Sequence, residues 1–144
     1  MTGGSPLAVG DVFNTSGRTI GEGDIHLFAG LVGDFTPIHV DEHYARQSVH
    51  GRRIAHGPHG LAAAIGLFTQ TGTMGERVVG LLNLNWDFSA PVFLGDTIRA
   101  RVTVEELRAT SKPGRHVGTF LFEVVNQDET PVQRGRMKVL LQGL

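Results

Sequence analysis

The fold of this chain depends on residues 55–68, which read AHGPHGLAAAIGLF. Gly57 stands where a helix N-cap is expected. Pro58 suits the first helical position, because its φ is fixed and it has no N–H to leave unpaired. From residue 61 onwards nearly every residue is apolar, and a helix without a polar face must be buried on all sides. The stretch therefore predicts a long central helix wrapped by a sheet, with Gly60 and Gly66 allowing neighbouring backbone to approach closely.

The second half of the chain predicts an antiparallel sheet. Ile98, Ala100, Val102 and Val104 alternate with polar residues, which is typical of a half-buried strand. Turn signals rich in Gly, Pro and Asn separate four β-rich stretches. These predicted strands are Val78–Phe88, Thr97–Leu107, Val117–Val125 and Val132–Leu141. Helices early in the chain, one long buried helix and then a meander of strands indicate an α+β fold.

The residues before the central helix predict smaller elements. A loose arm, residues 1–10, leads into a strand over Asp11–Ile20. Asp24 is a plausible N-cap for a short helix that ends at Gly33. Asp41 can cap another short helix. The apolar face predicted for the first of these helices consists of Ile25, Phe28, Leu31 and Val32.

Composition narrows the function classes. The 144 residues, 40% of them hydrophobic, fit one domain over residues 1–144. A formal net charge of −1 gives no electrostatic footprint for nucleic acid or an anionic membrane. The absence of cysteine excludes disulfides, thiol catalysis and thiolate metal sites. Residues 1–6 do not read as a signal peptide and the apolar runs are too short to span a bilayer, so we expect a cytoplasmic location.

Two features could carry chemistry. Asp34 and His39 flank Pro37, and a tight loop can bring a carboxylate and an imidazole to one spot suited to proton transfer. The helix that starts at Gly57 presents unpaired N–H groups that could polarise a carbonyl or hold an anion. From spacing alone, ordinary readings stay open: Asp34 as a turn residue, His39 as a half-buried polar residue and the helix start as packing only.

Other patterns are weaker. His39-Val40-Asp41-Glu42-His43 matches the H-x-x-E-H pattern of zinc peptidases, which requires both histidines on one helix face. Pro37 and a capping Asp41 argue against that helix, so we expect no metal site. The basic residues flanking the Pro113-Gly114 turn, and Arg52 with Arg53, suit either a charged ligand or a solvated surface.

In combination these residues resemble the MaoC-like dehydratases, which include (R)-specific enoyl-CoA hydratases and 3-hydroxyacyl thioester dehydratases of the hot-dog fold. Three blocks carry the resemblance, which extends over nearly the whole chain. They are Gly33-Asp34-Phe35-Thr36-Pro37-Ile38-His39-Val40-Asp41 followed by Tyr44-Ala45, then Ile54-Ala55-His56-Gly57, and Phe88-Ser89-Ala90-Pro91-Val92-Phe93-Leu94-Gly95-Asp96.

The resemblance implies roles for particular residues. Asp34 and His39 correspond to the family's catalytic pair, and Gly57 to the glycine whose N–H binds the thioester carbonyl. Expected substrate-binding residues are Pro58, Ile65 and His56. The resemblance also implies a substrate carried on coenzyme A or on the phosphopantetheine of an acyl carrier protein, no separate cofactor, and a homodimer with a continuous sheet.

The chain departs from the family pattern at three positions. Thr36 stands where Asn is frequent, Pro58 where Met is common, and Ile65 where some hydratases have a supporting Ser. The last two leave substrate identity open.

Alternatives to a hydratase are a hot-dog thioesterase and a non-catalytic or acyl-binding subunit of a heteromeric dehydratase.

Overall fold

A computed structural model describes residues 6–144. Two short strands begin the fold, four helices follow, and four long strands complete it. In chain order the elements are β1 (Val12–Asn14), β2 (Arg18–Thr19), α1 (Glu22–Val32), α2 (Pro37–Val40), α3 (Glu42–Gln47), α4 (Gly57–Thr69), β3 (Val78–Phe88), β4 (Thr97–Ala109), β5 (Arg115–Val125) and β6 (Pro131–Gln142). A 3-10 turn, Gly75–Arg77, leads from α4 towards β3.

The strands form an antiparallel sheet in the order β1-β4-β5-β6-β3, with β2 paired to β4. Strands β4, β5 and β6 follow one another as a meander, whereas β3 pairs with β6 and occupies the edge. The inner face of β4 buries Ile98, Ala100, Val102 and Val104, so the alternation predicted from the sequence is confirmed. With α4 packed inside the sheet, the α+β hot-dog architecture is confirmed.

Phe68 anchors α4 to the sheet. Its side chain is fully buried, and its ring lies 5.7 Å from that of Phe13 and 5.6 Å from those of Phe120 and Phe122. Three aromatic neighbours at these separations combine large apolar burial with favourable ring contacts. This cluster holds the C-terminal end of α4 against the sheet.

The prediction that α4 is buried on all sides is wrong for the single chain. Pro58 and Ala62 are exposed, and Leu61 and Ile65 are only partly covered. One layer of strands covers one side of a helix, and within residues 6–144 no element covers the other side. Gly66 likewise meets open space rather than neighbouring backbone.

Helix α1 begins earlier than predicted. Its N-cap is Gly21, and Asp24 is the third helical residue, whose carboxylate accepts a hydrogen bond from the Gly21 N–H at 2.8 Å. This is the acidic half of a capping box. The helix buries Ile25 and Ala29 but leaves Leu31 exposed, because it lies on the outside of the fold.

The N-terminal region packs more closely than predicted. Residues 1–5 of the predicted arm lie outside the described residues, but Leu7 is 8% exposed and belongs to the core. The single strand predicted for residues 11–20 is two short strands, which pair with different parts of β4. Within residues 6–144, no helix combines the length and apolar character needed to cross a membrane.

Phe68→Ala should lower the free energy of unfolding by about 3–5 kcal/mol, because it empties the ring cluster between α4 and the sheet. Urea denaturation measures the change. Leu31→Ala, on the exposed side of α1, is the matched control and should stay within about 0.5 kcal/mol of the parent protein. Similar losses in the two variants would contradict this account of the core.

Candidate active site

Asp34 follows directly after α1, which ends at Gly33 in the left-handed conformation with φ 77°. The Asp34 carboxylate accepts hydrogen bonds from the Thr36 hydroxyl at 2.6 Å and the Thr36 N–H at 3.1 Å. These bonds favour the ionised form and hold the pKa of Asp34 below its usual value. Thr36 therefore favours the ionised form of the carboxylate and fixes its direction.

His39 lies on α2 rather than in an irregular loop, because Pro37 begins this short helix. Its Nδ1 lies 2.7 Å from the carbonyl oxygen of Ile54, which precedes α4. A carbonyl only accepts, so Nδ1 carries the proton and neutral His39 has its lone pair on Nε2. Burial lowers the pKa of His39, so the ring is neutral and able to accept a proton near neutral pH.

His56 connects the two segments. Its side chain is 1% exposed, and its Nε2–H donates to the Asp34 carbonyl oxygen at 2.9 Å. Its ring stacks on that of His39 with centroids 3.9 Å apart, and Phe28 packs at 4.9 Å. His56 thus holds the backbone of Asp34 and supports the His39 ring, while its contact with substrate stays a prediction.

Arg53 provides a second connection, between the segment before α4 and two other helices. Its guanidinium is nearly buried and donates to Glu22 of α1 at 2.8 Å and to Glu42 of α3 at 2.6 Å. These bonds fasten both helices to the segment that leads into α4. Arg52 instead lies over the ring of Phe93, 3.8 Å from its centroid. A structural role for Arg53 therefore replaces the charged-ligand alternative.

The side chains of Asp34, His39 and His56 offer ligand-type atoms that all lie within 4.8 Å of one another. The two ring planes are inclined by only 25°. Planes so nearly parallel do not meet within the ~2 Å of a metal–nitrogen bond, so the lone pairs do not converge on one ion. The H-x-x-E-H pattern does not place its two histidines on one helix face, since His39 and His43 lie on different helices separated by an extended Asp41.

The N-terminus of α4 lies next to this cluster. His56 is the N-cap, so the helix begins one residue earlier than predicted. Gly57 is the first helical residue, and Pro58 is the second rather than the first. The His56 carbonyl accepts from the N–H groups of His59 and Gly60. Among the hydrogen bonds formed within residues 6–144, the Gly57 N–H takes part in none. It is a free donor at the positive end of a 13-residue helix.

A cleft of about 290 Å³ runs along Gly57. Its walls come from the segments before α4 and after β3, and from Phe88 and Gln133. A Cβ on Gly57 would lie 3.2 Å from the Phe88 ring, so a side chain there would crowd the cleft. Pro58 and Ile65 do not line it in the single chain, and their contact with substrate stays a prediction.

The sequence did not reveal two of the groups that orient the site. The Ile54 carbonyl that fixes the His39 tautomer has no sequence signature. Gln133 lies in a strand whose alternating pattern indicates only packing. The one available signal was that Gln133 shares the inward-facing side of β6 with Met137 and Val139, where a polar side chain needs a partner.

The chain is similar to known proteins in both sequence and fold. Residues 6–124 match the family model described as MaoC like domain. Over 94 residues the chain is 44% identical to an (R)-specific enoyl-CoA hydratase of Rhodospirillum rubrum, which covers 62% of this chain and 61% of that protein. The chain thus spans about three fifths of that relative.

Two longer matches extend the comparison. An (R)-specific enoyl-CoA hydratase of Aeromonas caviae is 35% identical over 120 residues, covering 81% of this chain and 84% of that protein. A crystal structure described as a monoamine oxidase regulatory protein of Archaeoglobus fulgidus superimposes with a TM-score of 0.90 at 30% identity. It covers 96% of this chain and 92% of the other.

The geometry predicts how His39 titrates. Its pKa should lie below its ordinary value of 6.5, and its neutral form should be the Nδ1–H tautomer. Nitrogen-15 NMR of the imidazole across a pH series measures both, with His39→Gln used to assign the signals. An Nε2–H tautomer or a pKa above 6.5 would contradict the arrangement described.

Proposed function

The chain belongs to the MaoC-like dehydratase family, and from this premise we propose that it is a hydro-lyase acting on trans-2-enoyl thioesters. It adds water reversibly to give (R)-3-hydroxyacyl thioesters. One observation carries the proposal: the Asp34 carboxylate and the imidazole of His39 lie within 4.8 Å of each other and of the ring of His56, the residue that precedes the free N–H of Gly57. This reaction needs a base, a second group that holds the attacking water, and a hydrogen-bond donor to the oxyanion.

The catalytic pair would work through a bound water. No direct hydrogen bond joins the Asp34 carboxylate to His39, and a separation within 4.8 Å leaves room for a water that contacts both. Asp34, whose ionised form Thr36 favours, accepts one hydrogen of this water. Neutral His39 accepts the other through Nε2 and takes that proton as the water oxygen bonds to C3.

The electrons displaced from the C2–C3 double bond move towards the thioester oxygen. The Gly57 N–H donates to this oxygen, and the N-terminal end of the α4 dipole stabilises its negative charge. The proton held by His39 then passes to C2, and the thioester carbonyl re-forms. The hydroxyl group thus ends on C3 and the hydrogen on C2, and the pair returns to its starting state.

The substrate's carrier would be coenzyme A or the phosphopantetheine of an acyl carrier protein, and the proposed steps use no other cofactor. The names of the relatives support a coenzyme A thioester. They include two (R)-specific enoyl-CoA hydratases and a 3-hydroxybutyryl-CoA dehydratase of Methylorubrum extorquens. The (R) configuration is likewise proposed from these names.

A homodimer is the proposed assembly. Strand β3 is the edge of the sheet and exposes apolar side chains, with Leu81 57% and Leu82 53% exposed. A long apolar edge strand invites pairing with another strand. Two copies joined edge to edge through β3 would continue the sheet and cover apolar surface that the single chain leaves open.

Substitution of the catalytic pair tests the reaction. Asp34→Asn and His39→Ala should each lower the rate of crotonyl-CoA hydration by about 100- to 10,000-fold, because each removes a group that handles the proton. The loss of the enoyl thioester absorbance measures the rate, and circular dichroism checks the fold. Asp128→Asn and His43→Ala, both remote from the cleft, are matched controls that should keep activity.

Unchanged turnover in both site variants would contradict the proposed mechanism. Release of free thiol from acyl-CoA without a 3-hydroxyacyl product would favour a thioesterase. Hydration that appears only after a second, different chain is added would favour the heteromeric dehydratase. Chiral analysis of the product tests the (R) configuration.

The dimer has its own test. Leu81→Lys combined with Leu82→Lys should give single chains, because charged side chains would have to be buried at the edge of β3. Light scattering after size-exclusion chromatography measures the mass. Leu31→Lys, on the exposed side of α1, should leave the dimer intact. A single-chain mass for the parent protein would overturn the assembly.

A further inference from the structure

We propose that Gln133 is a positioning residue that holds the Gly57 peptide segment in place, and that Trp86 holds Gln133 in turn. The inference rests on the proposed function, because it concerns the oxyanion donor of that reaction. Trp86 lies on β3 and Gln133 on β6, while Gly57 begins α4. The connection therefore runs from the sheet to the catalytic end of the helix.

Two hydrogen bonds make the connection. The Trp86 Nε1–H donates to Gln133 Oε1 at 3.0 Å, and the Gln133 Nε2–H donates to the Gly57 carbonyl oxygen at 3.3 Å. Gln133 is 3% exposed. A buried amide needs partners for both its oxygen and its nitrogen, and here one partner is an indole that can only donate. The indole therefore fixes which end of the amide faces Gly57.

Two glycines leave the space for these side chains. A Cβ on Gly60 would lie 2.4 Å from Gln133 Nε2, and a Cβ on Gly135 would lie 2.3 Å from Cε3 of the Trp86 ring. Cβ atoms essentially never come so close to other heavy atoms. Gly60, from which the sequence predicted a close approach of backbone, instead accommodates the Gln133 amide.

Two peptide planes meet at Gly57: the one that carries its N–H includes the His56 carbonyl, which accepts from His59 and Gly60, and the next one carries its own carbonyl, to which Gln133 donates. Gly57 has the conformational freedom of glycine, and the residue before a proline is disfavoured in the helical conformation. The N-cap, His56, makes no side-chain hydrogen bond to the first turn, since its ring is directed to Asp34. The bond from Gln133 restrains the carbonyl of Gly57, and the Phe88 ring lies against its Cα.

With both planes held, rotation about the bonds of Gly57 is limited, and its N–H stays pointed at one place. An oxyanion donor accelerates a reaction only if it is already oriented where charge develops in the transition state. Loss of the restraint should therefore lower kcat and leave KM nearly unchanged. Direct contact between Gln133 and the substrate, which its place in the cleft wall makes the competing role, would instead raise KM.

Gln133→Met tests the proposal because it keeps the side chain's length but removes both hydrogen bonds. Gln142→Met is the matched control: Gln142 lies on the same strand and also donates to a backbone carbonyl, that of Glu76, but far from the cleft. Crotonyl-CoA hydration gives kcat and KM. The amide signal of Gly57, measured by NMR without substrate, reports the restraint independently.

We expect Gln133→Met to lower kcat by about tenfold, the effect of one hydrogen bond, with KM within about twofold of the parent value. The Gly57 amide signal should shift. Trp86→Phe, which loses only the indole N–H, should change the same quantities in the same direction by a smaller factor. Gln142→Met should change neither.

A kcat within twofold of the parent value for Gln133→Met, or a raised KM at unchanged kcat, would overturn the positioning role. If Gln133→Met does not fold, Trp86→Phe decides by the same criteria. A parent protein that hydrates no enoyl-CoA would refute the proposed function instead. The NMR comparison would still decide whether Gln133 restrains Gly57, so the two failures can be told apart.

Discussion

The packing of α4 against the sheet is the constraint on which the other features depend. Phe68 sits among three aromatic rings and holds the C-terminal end of the helix. At the other end, Phe28 stacks on His59 and Gln133 donates to the Gly57 carbonyl, so the N-terminus is held as well. The first free N–H, that of Gly57, therefore stands at a defined place beside the sheet, and the candidate site is built around this point.

The site is assembled by hydrogen bonds to backbone carbonyls. His39 donates to the Ile54 carbonyl and His56 to the Asp34 carbonyl, so each of the two segments holds a side chain of the other. These bonds also set the chemistry, since a carbonyl partner decides which ring nitrogen keeps the proton. Thr36 does the corresponding work for Asp34 by favouring the ionised form of its carboxylate. Structural and chemical roles are therefore carried by the same contacts.

The sequence predicted the strands and the central helix well, because alternation and uninterrupted apolar runs are local signals. It did not predict which helix residues are exposed or where the helices begin, because these depend on the parts of the fold around them. Residues of α4 and α1 that were expected to be buried, such as Ala62 and Leu31, are exposed because one chain offers a single sheet layer. The N-cap of α1 lies three residues earlier than predicted, since Gly21 gives a weaker signal than Asp24. That of α4 lies one residue earlier, at His56, because histidine is not among the preferred N-cap residues.

Asp34, His39 and Gly57 were identifiable from the sequence alone, because residue type, spacing and the resemblance to a known family all point to them. Only the tertiary structure decided how they are held. The tautomer of His39 depends on Ile54, 15 residues away in the chain, and the contact of Gln133 with Gly57 crosses 76 residues. A local pattern encodes which groups are present, whereas their orientation depends on partners that only folding brings together.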